Sequence, residues 1–334
     1  MSVLPVGFGA SGPDTGDITK SLRFRASGST YMSRIFGTPT SGTIWTFSAW
    51  VKRAQLGALQ YIFSSGTSGS DESNIYITAA DKLQVYNYPG SNTLERITTQ
   101  VFRDVSSHFH LVVASNGSTS FTIHINGVAI TAFDTSTGTN APAWKWANGY
   151  SVNIGRRWNA TGYLDGYLSR ICFVDGQALT PSSFGYLNTE INEWVTLSRS
   201  ACKAVVDAGG TNSFMLDFED GTSLTTLGND YSAKNNDWTL TNHSLTAGVT
   251  YDWMEDRPGN SFPIANPLYN GGYGAAVACS NANLTITTTN ASATWLTNAY
   301  LPTTGKYYFE FKFSAIFNIA GCSISTRGYW SNAT

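Results

Sequence analysis

Apolar and polar residues alternate with a period of two along much of the chain, as in strands buried on one face. In "TIWTFSAWVKR" (43–53), Trp45, Phe47, Ala49 and Val51 fall on one side and Thr46, Ser48 and Lys52 on the other, with Trp50 the exception. "HFHLVVA" (108–114) places Phe109, Leu111 and Val113 opposite His108, His110 and Val112. "FTIHINGVAI" (121–130) predicts a hairpin, because Asn126-Gly127 tolerates the positive φ of a type I′ turn. That turn pairs Ile125 with Val128 and Ile123 with Ile130 on one face, and His124 with Ala129 on the other.

The stretch "GYLDGYLSRICFVDGQALTP" (162–181) carries two Asp-Gly steps. Leu168, Ile171 and Phe173 read as inward, and the alternation breaks near Arg170 and Cys172, which predicts a bulge. Thr180-Pro181 then predicts one short helical turn with proline at its first position. Further along, "SFMLDFED" (213–220), "LTITTTN" (284–290) and "KYYFEFKF" (306–313) read as strands. In the last of these Tyr307, Phe309, Phe311 and Phe313 point inward.

Composition agrees with an all-β chain. Of 334 residues only 13% are charged while 13% are aromatic, and 32 are glycine, so long charged helices are disfavoured. A net charge of −2 supplies no basic stripe for nucleic acid, and no apolar run reaches the length of a membrane span. The start, "MSVLPVGFGASGPDTGD", lacks the basic-then-apolar pattern of a secretory signal, so synthesis in a cytoplasm is expected. Cys172, Cys202, Cys279 and Cys322 are widely spaced and expected to be free thiols. The organisation expected is an arm over 1–20, a sandwich over 21–187, a loop-rich connection over 188–270 and a smaller β segment over 271–334.

"SLRFRASGSTYMSR", "WTFSAWVKR", "HFHLVVA", "IHINGVAI", "NIGR" and "YLDGYLSRICFVDGQALTPSSFG" follow one another in an order that resembles a laminin-G-like, concanavalin A-like lectin domain. The resemblance spans roughly residues 21–187 and is greatest to versions found in tailed-phage virion proteins, the tail fibres and head or tail appendages. It implies a two-sheet antiparallel jelly-roll sandwich that binds glycans or protein surfaces through loops at its rim. "LPTTGKYYFEFKF" (301–313) resembles the opening strands of a SPRY domain, although the chain stops before such a domain would be complete.

Four chemistries compete for the polar residues. A retaining glycosidase of this superfamily needs paired carboxylates along one strand, but Glu310 stands alone and Glu219-Asp220 point to opposite faces, so no catalysis is expected. His108, His110 and His124 are three ligands suited to zinc, or plain outward strand residues. Laminin-G-like domains sometimes hold calcium at a rim, which makes Asp104, Asp134, Asp165 and Asp175 calcium candidates; each also suits a turn. For glycan binding the candidates are Trp144, Trp146, Tyr150, Arg156, Trp158, Asn159 and Tyr163, in loops where aromatics can stack on a pyranose ring or plug the sandwich end.

The expected function is that of a structural phage virion protein, a fibre, appendage or capsid-decoration subunit localised to the virion. Its partners would be other virion proteins, copies of itself as a homo-oligomer, and host cell-surface polysaccharide. A free-standing carbohydrate-binding module is the alternative, and a glycan-degrading enzyme a weaker one.

Overall fold

The computed structural model describes residues 3–4, 18–90, 94–117, 121–138, 143–147, 149–268, 277–288, 297 and 310–311. The expected N-terminal arm and the SPRY-like "KYYFEFKF" face lie almost wholly outside these residues. Two large antiparallel sheets, each of eight strands, make a concanavalin A-like sandwich.

The first sheet runs in space through Val128–Ala129, Phe121–Ile125, Phe109–Asn116, Ile44–Arg53, Gly166–Asp175, Ser21–Phe24 and Trp253–Met254, with Phe214–Leu216 also paired to Gly166–Asp175. The second runs through Phe133–Gly138, Leu94–Val101, Lys82–Pro89, Asp71–Ile77, Gln60–Ser68, Ser151–Ile154, Tyr31–Ile35 and Thr239–Thr241. Strands from beyond residue 187 therefore extend both sheets. Between the sheets lies one apolar core, to which the first contributes Phe47, Val51 and Phe173 and the second Phe63, Ile75 and Val152.

The period-two expectations hold in detail. Trp45, Phe47, Ala49 and Val51 are buried in the core together with Leu111 and Val113. The hairpin forms with the expected register, His124 opposite Ala129 and Ile125 opposite Val128, and with positive φ at Asn126 (48°) and Gly127 (78°). Val128, at the sheet's edge, is nonetheless exposed because no further strand covers it. The break near Arg170 is a bulge: the register with Ile44–Arg53 shifts between Ser169 and Cys172, and Arg170 takes a φ of 37°. Leu168, Ile171 and Phe173 all reach the core. Pro181–Ser183 is a single 3-10 turn, and Cys172, Cys202 and Cys279 are free thiols.

The outer face of the first sheet is covered by the chain itself. A hairpin (Gly185–Asn188 with Glu193–Thr196) and the helix Arg199–Asp207 lie over it, burying Val112, Cys172, Val174 and Met215 against Cys202 and Val206. Further along the same sheet, Tyr167 and Ala54 are buried against Ile264 and Ala282.

Candidate functional site

The outer face of the second sheet carries a different population. Alternation sends Ile75 and Val85 into the core, so Glu72, Asn74 and Tyr76 on one strand and Gln84, Tyr86 and Tyr88 on the next point outward. Tyr31 and Asn153 join them from the other side of Gln60–Ser68, since Met32, Val152 and Ile154 occupy the core.

The loop 155–164 folds over this face and is fastened to it. Its backbone closes through Arg157 N to Thr161 O (2.9 Å) and Leu164 N to Gly155 O (2.9 Å), and Tyr61 N donates to Gly162 O (2.9 Å). Gly162 has a φ of +59°, and a Cβ there would sit 2.5 Å from the Tyr61 ring, so only glycine lets the loop lie this close.

That loop delivers Arg156, Arg157 and Trp158 to the sheet. Glu72 accepts from Arg157 Nε (2.8 Å) and Nη2 (2.5 Å) and from Trp158 Nε1 (2.7 Å), a charge-assisted fork plus an indole donor. Trp158 N donates to Ser64 Oγ (3.1 Å), which donates in turn to Asn74 Oδ1 (2.6 Å). The bond to Glu72 is the first reason that the Arg157 guanidinium is held above its ordinary value. Beside it Tyr61 stacks on Tyr76 with ring centres 4.6 Å apart and planes at 12°. Burial pushes the Tyr61 phenol up to about 12, and raises Tyr76 and Tyr86 as well, so these rings stay neutral.

Arg156 is placed separately. Its Cζ lies 3.4 Å from the centre of the Tyr31 ring and its Nε donates to Asn153 Oδ1 (3.0 Å), while Tyr163 adjoins Tyr31 at 6.5 Å. The result is a partly open surface of tyrosine and tryptophan with fixed acceptors and donors. It suits the stacking and hydrogen bonding by which proteins hold sugars.

The sequence candidates divide. Arg156, Trp158, Asn159 and Tyr163 come together on the 155–164 loop, with Asn159 exposed and bonded to Thr161 Oγ1 at 2.6 Å. Trp144 and Trp146 are buried instead, only 1% and 2% exposed, because the end of the sandwich is open to them. Trp144 packs on Trp45 and Phe121, and Trp146 on Phe63, so neither ring presents a face to a ligand in this arrangement. Tyr150 stands apart at the edge, its hydroxyl 3.2 Å from Lys145 Nζ and 3.4 Å from Asp71 Oδ2.

Tyr31, Tyr61, Tyr76, Tyr86, Tyr88 and Glu72 escaped sequence reasoning. Their signal was the alternation in "ESNIYI" (72–77) and "QVYNY" (84–88), where the outward positions hold Glu, Asn, Gln and Tyr rather than Ser, Thr or Lys.

The four aspartates do not converge. Asp104 accepts from Ser106 N (2.7 Å) and organises a turn, whereas Asp175 accepts from the backbone amides of Thr40 (2.8 Å) and Asn212 (3.2 Å) and ties distant segments together. Asp165 accepts from Ala26 N and Ala282 N, both at 3.1 Å, and Asp134 pairs with Lys82. Among the described residues no three His, Cys, Asp or Glu side chains are grouped to hold a metal ion. His110 has both ring nitrogens engaged: Trp194 Nε1 donates to Nδ1 (2.9 Å), which leaves Nε2–H to donate to Ser48 Oγ (2.8 Å). No helix among the described residues is long and apolar enough to cross a membrane.

Residues 26–183 match the model of the concanavalin A-like lectin/glucanases superfamily. Among solved structures the chain is similar to a heptameric SAP-like pentraxin from Limulus polyphemus (16% identity, 58% of this chain and 85% of that one, TM-score 0.38). A candidate carbohydrate binding protein from Bacteroides ovatus is similar at 16% identity over 67% of this chain and 58% of its own, with a TM-score of 0.42. The NanB sialidase of Streptococcus pneumoniae is similar at 15% identity over 51% of this chain but only 29% of its own, with a TM-score of 0.36. No curated protein matches the chain.

Proposed function

We propose that the outer face of the second sheet binds a glycan, and that the chain is a structural subunit of a tailed-phage virion, a fibre, appendage or capsid decoration, that adsorbs host-surface polysaccharide there. One observation carries the glycan reading. Trp158, Tyr31 and Tyr163 are held by hydrogen bonds and stacking around Glu72, Asn153 and Arg156, so aromatic faces and polar groups converge before any ligand arrives. Preorganisation of this kind lowers the ordering cost of binding.

Support for the virion setting comes from the ordered resemblance over residues 21–187, above all "DGYLSRICFVDGQALTPSSFG". In that setting the arm over 1–20 anchors the chain to its neighbours, and copies of the chain assemble together. Any calcium would have to be sought at Asp104, Asp134, Asp165 or Asp175 one at a time.

A glycan array with the full chain tests the binding reading. Retention of one or more polysaccharides, lost in Trp158→Ala, is expected; an array without a bound glycan would overturn it. Removing residues 1–20 tests the virion role. Particles should then lack the protein while it still folds, and normal incorporation would contradict that role.

A further inference from the structure

We infer that the glycan face selects carboxylate-bearing sugars, with Arg156 as the residue that reads the acid; the inference rests on the reading of that face as a glycan site. Apart from Arg156 and Glu95, the charges on this face cancel in pairs. Arg157 is forked onto Glu72 at 2.5 and 2.8 Å, and Lys82, outward like Gln84, is paired with Asp134. Arg156 makes no ion pair among the described residues. The remaining outward acid, Glu95, accepts from Gln84 Nε2 at 2.7 Å. It lies four strands from Ser151–Ile154, roughly 19 Å at the usual interstrand spacing and beyond the screening distance at physiological salt.

Arg156 is also held in a definite pose. Its guanidinium lies flat on Tyr31 and its Nε is tied to Asn153 Oδ1. The Asn153 side chain, 1% exposed, is oriented in turn by donation from its Nδ2 to Ser151 O (3.3 Å). One edge of the guanidinium is thereby fixed, and the two Nη groups are left to a ligand. Two parallel N–H donors on a planar cation match the two oxygens of a carboxylate, and a pre-set fork loses little rotamer freedom on binding. Tyr163, its ring tilted at 58° to Tyr31 with centres 6.5 Å apart, supplies a further aromatic face beside it.

The test uses the full chain and two polymer pairs: polygalacturonate and polysialate, each against its carboxyl-reduced form. Retention on at least one acidic polymer should exceed that on its reduced partner about tenfold, and the excess should shrink at 1 M salt. Arg156→Gln should lose the excess, and Arg156→Lys, which keeps the charge without the fork, should restore only part of it. Thermal melting of both variants should match the parent, so that lost binding is not lost folding. Equal retention of acidic and reduced polymers, or selectivity that survives Arg156→Gln, overturns the inference while leaving the glycan reading in place. Retention of none of the four overturns the inference, and the glycan array then decides the wider reading.

Discussion

The two outer faces of the sandwich both carry polar and aromatic residues and come to opposite ends. On the first sheet the outward row holds Arg23, Lys52, Trp50, His108 and His110, and every one of them is buried. Asp252 accepts from Arg23 Nε (3.0 Å) and from Arg25 Nε (2.7 Å) and Nη2 (2.9 Å), and Lys52 Nζ donates to Asp256 (2.7 Å) and Phe262 O (2.9 Å). These partners arrive from more than two hundred residues away in sequence, so the later half of the described chain is the lid of that face. On the second sheet nothing from the described chain plays that part beyond the 155–164 loop. Apart from buried Tyr61, its aromatics stay partly open, and Arg156 makes no ion pair among the described residues. Polar residues on an outer face therefore do not by themselves mark a site; what matters is whether the chain supplies their partners.

The contrast can be broken most severely at Asp252. Asp252→Asn leaves two buried guanidinium groups without a carboxylate, which is expected to cost about 3–5 kcal/mol of stability. Urea unfolding monitored by tryptophan fluorescence measures this; a loss below 1 kcal/mol would mean that the lid is not seated as described. Glycan binding by the folded fraction should be unchanged.

Acid should act on the same covered face. Burial lowers His110 to about 3 and His243 to about 4 from an ordinary 6.5, and pushes His108 down as well. A depressed folded value means that the unfolded chain takes up protons first, so this stability is complete above about pH 6.5 and falls as pH drops toward the folded values. Asp165 and Asp256, raised by burial, work in the opposite sense over part of the range. A net loss of stability between pH 7 and pH 5 is expected, read as a lower melting temperature at pH 5. A higher melting temperature at pH 5 would refute it.

Trp194→Ala removes the ring that stacks on His110 at 6.1 Å and the donor to its Nδ1. About 2 kcal/mol of stability should go, since Trp194 is only partly buried, with glycan affinity intact. Trp158→Ala should do the reverse, weakening glycan binding about tenfold while melting shifts less than for any variant of the covered face. If the two tryptophans exchanged these phenotypes, the assignment of open and covered faces would be inverted.

Local alternation made much of this legible. The strands at 43–53 and 108–114, the Asn126-Gly127 turn and the bulge at Arg170 follow from residues adjacent in sequence, where sterics and register act directly. Trp144 and Trp146 show the limit. Lys145 sits between them with loop composition around it, but the fate of the two indoles depends on Trp45, Phe63 and Phe121, which pack on them from distant strands. Arg157 and Glu72 are 85 residues apart, and Arg25 and Asp252 are 227 apart, so neither pairing has a local signature. The tyrosines of the open face were missed for a related reason. Tyr86 and Tyr88 alternate as any strand residues do, and only the presence of the first sheet behind them fixes which face is outward.

The central claim is that ligand binds the open face and not the covered one. Hydrogen–deuterium exchange of the full chain with and without a retained polysaccharide tests it most directly. Protection is expected in 60–77 and 155–164, around Glu72 and Trp158, with none added in the hairpin 185–196 or in 252–264. Protection confined to those two covering segments, with 60–77 and 155–164 unchanged, would contradict it.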